Sequence, residues 1–520
     1  MTARSVTLRG ATYPLVLPSL RDPRLHVAAV IITVHVLGQV GLGFRVSVPQ
    51  ILAAILACAL LEVAITFRQA RALVWPASAM LTGSGVALIL RVAGTPPDEP
   101  WSLHAWWVFA LVAGLSLASK YVIRYRGTHV FNPSNIGLVA AFVLVGLPYL
   151  EPLDFWWAPL EPPMVLAYGV IVVGGLLITR RLRLLGLAAS FWIVLAAGIG
   201  LLAASGHCMV ANWSFTPVCD ADFWRVIVTS PEVLVFLFFM ITDPRTVPAG
   251  QVARVAFGAA VAVLSVLLIA PQTDEFGAKV GLLASLVIVC AARPLFERFL
   301  PAANSEADDV RTWLRGAGSA RLMALRAGTA ALAVAVLTGA VLAAGSPARG
   351  SLGSVSLEAL NRPAPAVDPT TLPPITIEPE VIEFDHELAG EGMHEVLVAL
   401  AQNLALETTA ILEDDPQLLT AVDHGDRLNE MRARLEEART SGIATVTHYT
   451  FDAFRVTLLV PFGEQTGLSL GLTGRGTLRT ERYDRAGTLL ERDEQPFELT
   501  FAMRRATGSR WMLVGVLPAR

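Results

Sequence analysis

Charge is in short supply in this chain. Only 16% of its 520 residues are Asp, Glu, Lys or Arg, against 54% hydrophobic, and mean hydropathy is +0.56; a soluble domain is about one-quarter charged. That shortage excludes an ordinary soluble enzyme and points to a bilayer. Basic residues fall in short clusters between apolar runs, and the net charge is only −3, so no nucleic-acid partner is expected. Cysteine is scarce too, at four residues, with no Cys-X-X-Cys-His for covalent haem. Histidines such as His35, His104, His129 and His207 show no pair at close ligand spacing on one helix, which argues against a metal or bis-histidine haem centre. The leader, 1–24, holds Arg4, Arg9, Arg21 and Arg24 but no apolar core before a small-residue cleavage site, so no signal peptide is expected.

Long apolar runs dominate instead. A membrane-spanning helix needs about 17–25 residues, and such runs occur at 25–44, 50–67, 73–93, 103–119, 134–149, 163–179, 184–204, 223–242, 252–270, 278–293 and 327–345. Alternate loops are basic: Arg68 and Arg71, Lys120 to Arg126, Arg180 to Arg183, Arg245 and Arg254, and the stretch Arg293 to Arg326 share the side of the leader. The opposite loops offer only Arg45, Arg225 and Lys279 and are otherwise acidic, with Asp98, Glu99, Glu151, Asp154, Glu161, Asp274 and Glu275. By the positive-inside rule the leader is cytoplasmic, in a bacterial inner membrane. Trp101, Trp106, Trp107, Trp156 and Trp157 fit an interfacial belt.

The expected fold class is an all-α polytopic membrane protein: a ten-helix domain over 25–300, a cytoplasmic basic segment at 301–326 and an eleventh transmembrane helix at 327–345. Residues 346–380 carry seven prolines and read as a stiff linker. From 381 to 520 the pattern is that of an extracytoplasmic α+β domain. Helical spacing in 393–412 and 428–438 predicts two helices, and alternation in 445–460, 468–483, 497–505 and 511–518 predicts at least four antiparallel strands. Turns are expected at Arg485-Ala486-Gly487 and Thr507-Gly508. Helices before a meander resemble the nuclear-transport-factor-2-like (NTF2-like) fold. The domain shows no catalytic constellation, so binding of an extracytoplasmic partner is its expected use.

Cys58 and Cys290 lie in apolar runs and read as core residues. Cys208 and Cys219 share an extracytoplasmic loop where oxidation is allowed, which predicts a disulfide.

The most informative stretch is Lys120–Leu138, KYVIRYRGTHVFNPSNIGL. Asn132 is a good helix cap and Pro133 suits the first helical position, so a helix should start there. Thr242, Asp243, Pro244 and Arg245 repeat the signal after another apolar run. If the two corners face each other, their free first-turn amides and Arg124, Arg126 and Arg245 would form an anion or flavin-edge site, with Ser134 and Asn135 beside it. The plainer alternative is that these residues only start helices and fix topology.

GTHVFNPSNIGLVAAFVLVG resembles the Phe-Asn-Pro motif and following helix of RnfD, a membrane component of the Rnf electron-transport complex, and of the related NqrB component of the sodium-pumping NADH:quinone reductase. FLFFMITDPRTVP is similar to their Thr-Asp-Pro segment. LTGSGVALIL, HAWW, GGLLITRRLRLLGLAASFW and DEFGAKVGLLASLVIVCAARPLFER follow in compatible order, so the resemblance covers roughly 25–300. SKYVIRYRGTHVFNPSN is closer still to a branch of this family found beside enediyne biosynthesis genes.

The resemblance implies a ten-helix bundle that holds flavin and moves electrons, in contact with quinone or other redox proteins. In that family one flavin mononucleotide (FMN) is esterified to the threonine of a Ser-X-Ala-Thr motif beyond the Asn-Pro helix. Between Leu150 and Met164 this chain has neither serine nor threonine, so a covalent flavin at that site is excluded and any FMN or riboflavin is noncovalent. The nearest string elsewhere, Ser441 to Thr445, has an extra residue and should open a strand. Three classes stay open: an electron-transport component of a larger complex, a small-solute transporter built on a two-fold repeat, and a scaffold presenting residues 381–520.

Overall fold

The structure, a computed structural model, describes residues 4–8, 11–96, 99–146, 149–152, 162–209, 218–305, 307–315, 320–346, 367, 372–384, 386–459, 469–505 and 511–518. The chain divides into two compact units, one holding the helices up to Ala344 and the other the residues from Leu352 on.

In the first unit, α1 (Pro23–Val40), α2 (Val48–Ala70), α3 (Ala77–Ile89), α4 (Trp106–Val122) and α5 (Pro133–Leu144) are followed by α6 (Pro162–Arg181) and α7 (Leu185–Ala204). Next come α8 (Asp220–Thr229) and α9 (Pro231–Val235), which runs on as a π turn, Phe236–Met240. The unit closes with α10 (Gln251–Ile269), α11 (Glu275–Ala291), α12 (Arg293–Phe299), α13 (Val310–Arg315) and α14 (Ala320–Ala344).

Short polar residues and prolines set the starts. Asp22 accepts from Arg24 N ahead of Pro23, Ser47 and Gln50 exchange bonds in a capping box, and Ser230 accepts from Val233 N beside Pro231. Small residues then let helices close up. The Cα of Gly83 lies against the Ala54 carbonyl of α2, and that of Gly258 against the Leu187 carbonyl of α7, where a Cβ would collide with backbone.

Among the described residues, seven helical runs are long and apolar enough to cross a membrane, or eight if α11 and α12, bent by 49°, form one span. One of these runs, Gly392–Glu413, belongs to the second unit, where a sheet covers its apolar side. The others coincide with apolar runs of the first unit, and the protein is a multi-pass membrane protein with a C-terminal sheet region. Two expected spans are shorter than predicted. α3 has 13 residues and α5 has 12, so at 1.5 Å per residue each rises only about 20 Å in a core of about 30 Å. The cause is local: Leu90–Val92 leaves α3 as a strand and pairs antiparallel with Leu150–Pro152, while Gly146, at φ 64°, ends the run after α5. Arg91 and Glu151, both buried, pair across these strands at 2.5 Å. The leader contributes an unforeseen hairpin, Arg4–Leu8 with Ala11–Val16, whose second strand lies parallel to Leu73–Val74. Cys208 and Cys219, facing each other on two short paired strands, form the disulfide, and Cys58 and Cys290 are free and buried.

The second unit has the four antiparallel strands the alternation predicts: Ile443–Leu459, Ser469–Asp484, Leu489–Arg505 and Trp511–Pro518. Ile375–Ile377, upstream of residue 381, adds a fifth, parallel to the first of these. Most of the linker and the turn at Thr507-Gly508 lie outside the described residues. The other turn is as expected, with Asp484 Oδ1 accepting from Ala486 N and Thr488 N, and Gly487 at φ 78°. The two predicted helices are α16 (Glu391–Glu413) and α18 (Gly425–Ser441), accompanied by the shorter α15 (Pro379–Phe384) and α17 (Pro416–Val422). Val396, Leu397 and Leu400 of α16 pack on Phe454, Leu472, Phe501 and Leu513 of the sheet. Ser441 ends α18 and Thr445 lies in the first long strand, so the second Ser-to-Thr string opens a strand, as expected.

Candidate functional site

The hairpin that leads into α5 explains much of the central motif. Tyr125 and Thr128 bracket a two-residue turn in which Arg126 (φ 47°) and Gly127 (φ 82°) both adopt positive φ, the conformation a tight hairpin requires. The turn sends His129 inward, where it is buried. Three residues later Asn132 caps α5: its Oδ1 accepts from Asn135 N at 3.3 Å and from Ser134 Oγ at 2.8 Å.

The Asn-Pro and Asp-Pro corners do meet. Asn132 Nδ2 donates to the carbonyl of Met240 at 3.2 Å, and His129 Nε2 lies 3.2 Å from Asp243 Oδ2. Asn135 Nδ2 reaches the Leu283 carbonyl of α11 at 2.9 Å, which ties a third element into the corner. Asp243 Oδ1 accepts from Arg245 N at 3.0 Å, and Thr242 Oγ1 bonds the Phe238 carbonyl.

Two expectations about this corner need correction. No helix starts at Pro244: the chain turns through 242–250 and α10 begins only at Gln251, because Pro248 disfavours helical backbone at Val247 before it. Asp243 therefore holds a turn and a histidine rather than a helix cap. The first-turn amides of α5 are not presented to a ligand either. Asn132, Ser134 and Asn135 are all buried, and the Asn132 side chain already takes one of those amides. What the corner exposes is cationic. Arg124, Arg126 and Arg245 are on the surface with Pro244, although Arg126 is paired with Glu297 at 3.3 Å. Arg293 donates to the Arg245 carbonyl at 2.7 Å and pairs with Glu297 at 2.8 Å, fixing the rim.

His129, Arg293 and Glu297 are the participants that sequence reasoning missed. The Arg-Gly turn signal was the available clue for His129, since a tight turn at Arg126-Gly127 sets how the strand from Thr128 into His129 is directed.

A second polar centre lies elsewhere in the unit. Lys279 of α11 bonds Glu232 at the start of α9 at 2.8 Å and Glu275 one turn back on its own helix; all three are nearly buried. They line a small cavity with Met209, Ile227 and Ser230. His35 is buried against Ser84, its Nε2 3.1 Å from Ser84 Oγ. Among the described residues no group of three or more His, Cys, Asp or Glu side chains could hold a metal ion.

No protein-family model matches this chain, and no curated protein matches it either.

Proposed function

We propose that the protein is an electron-transport component of the inner membrane, with the ten-helix RnfD-like bundle, an eleventh span and an NTF2-like extracytoplasmic domain. The observation that carries this reading is the meeting of the two resemblance-bearing segments, through Asn132 with Met240 and His129 with Asp243. Residues 108 and 114 positions apart in sequence are thereby built into one corner, as expected if both segments serve one site. The rim fits a noncovalent FMN or riboflavin in one respect: Arg124 and Arg245 offer exposed cations for a phosphate or for the negative charge of a reduced flavin. When bound, flavin would supply the electron chemistry. The chain's own residues would fix its edge against the rim, and Asp243 and His129 would hold that rim rigid.

The absorption spectrum of protein purified from membranes tests this directly. Flavin bands are expected, and denaturation should release all of the colour, because the family's threonine acceptor is missing. A colourless native protein, or flavin that stays with the denatured band on a gel, refutes the proposal.

A solute pathway is the second reading, favoured by the short helices α3 and α5 and by the buried Lys279 centre. Charges sequestered within spanning segments are costly and tend to mark a route. Uptake of labelled solutes into vesicles containing the protein would support it.

A further inference from the structure

The second unit buries a charged cluster that no part of the proposed function uses. Asp423 links α17 to α18 and is wholly inaccessible; its own amide bonds the Leu419 carbonyl, and the next amide, His424 N, bonds the Leu513 carbonyl of the last strand. Neither carboxyl oxygen of Asp423 has a donor among the described residues. The adjacent guanidinium is turned to other carboxylates. Arg427 Nε and Nη2 hold Glu407 of α16 in a two-pronged pair at 2.7 and 2.6 Å, and its Nη1 reaches Glu430 at 2.8 Å. Among the described residues, the side chain that stands to Asp423 as a hydrogen-bonding neighbour is the Glu407 carboxyl. Two carboxylates cannot bond one another unless one carries a proton.

We propose that the buried Asp423 carboxyl carries a proton in the folded domain and donates it to Glu407, and that this proton is a latch joining α16 to the α17–α18 junction and the last strand. The groups that act on it are Glu407 from α16 and Arg427 and Glu430 from α18; Tyr449 of the first long strand, with Arg434, lies on the Glu407–Arg427–Glu430 side of the cluster. Burial, and next the neighbouring Glu407 charge, raise the Asp423 carboxyl well above the ordinary carboxylate range. The folded domain thus binds a proton that the unfolded chain has already released. The stability it contributes is full below the ordinary carboxyl value and is lost as pH rises through the folded value. Within that window the open state gains about tenfold for each pH unit.

Amide hydrogen exchange on the full-length protein in detergent, read as protection factors so that the intrinsic rate divides out, measures this opening. Peptides covering Val396–Met431 and Trp511–Val516 should lose protection by about tenfold per pH unit in the wild type. Asp423→Asn places a permanent donor against Glu407, so protection in that variant should not change with pH. Glu407→Gln, which lets an amide donate to Asp423 instead, serves as the second variant. An infrared band of a protonated carboxyl should be present at neutral pH in the wild type and missing from Asp423→Asn. Equal pH slopes in the wild type and Asp423→Asn, no such band, or failure of both amide variants to fold would overturn the latch.

Discussion

Replacing Asp243 separates a structural corner from an accidental contact. Alanine would remove two interactions: the turn bond from Arg245 N at 3.0 Å and the acceptor for the buried His129 ring at 3.2 Å. A hydrogen bond is worth about 1 kcal/mol net, and leaving a buried donor unpaired costs about 1–3 kcal/mol. The sum is a loss of about 2–4 kcal/mol for Asp243→Ala. Asn keeps the turn acceptor and one group for the histidine, so Asp243→Asn should lose about 1 kcal/mol or less. Denaturant unfolding in mixed micelles, followed by tryptophan fluorescence, gives both values from the shift in midpoint. A cycle with His129→Phe isolates the pair, with an expected coupling of about 1 kcal/mol. Additive effects in that cycle, or equal losses for Ala and Asn, would refute the reasoning. If the rim also holds flavin, Asp243→Ala, Asn132→Ala and Arg245→Ala should each lower flavin content by more than they lower folded yield.

Three further outcomes follow from other parts of the fold. Without reductant, alkylation and mass spectrometry should find Cys208 and Cys219 unlabelled, and Ser at both positions should cost about 3 kcal/mol for a separation of 11 residues. Arg91→Met should cost about 3–5 kcal/mol by stranding the buried Glu151, whereas adding Glu151→Leu should recover most of that loss; a double variant as unstable as the single one would show that the pair is not the cause. Reporters fused after Arg71, Arg183 or Glu297 should report cytoplasm, and one after Arg520 the exterior; a cytoplasmic signal after Arg520 removes the eleventh span.

Much of the fold was legible because its signals are local. Asn132-Pro133 announces a helix start through capping chemistry, and α5 begins at that proline. The alternation through Tyr449 and Phe451 announces a strand, and Ile443–Leu459 is one. Thr242 to Arg245 misled because a polar residue before proline serves a turn as well as a cap. Pro248 and Gly250, further along, decide between the two. The shortening of α3 and α5 was hidden in a pairing between Leu90–Val92 and Leu150–Pro152, which a linear hydropathy reading cannot see. At the corner the sequence could nominate Asn132 and Asp243. The burial of Asn132 and Asn135 depended on backbone carbonyls at Met240 and Leu283, groups with no residue-type signature.

The strap between Leu90–Val92 and Leu150–Pro152 also has a mechanical meaning. Gly85 brings α3 to within contact of Ser134 on α5, and the strap pairs the strand that follows α3 with one that lies beyond Gly146 after α5. The two helices are therefore tied in more than one place: α5 is seated on Met240 and Leu283, and the strands that follow both helices are clasped by Arg91 and Glu151. A molecule bound at Asn132 would therefore act on a helix that is also tied toward Glu151, and a probe at Glu151 tests whether the event registers there.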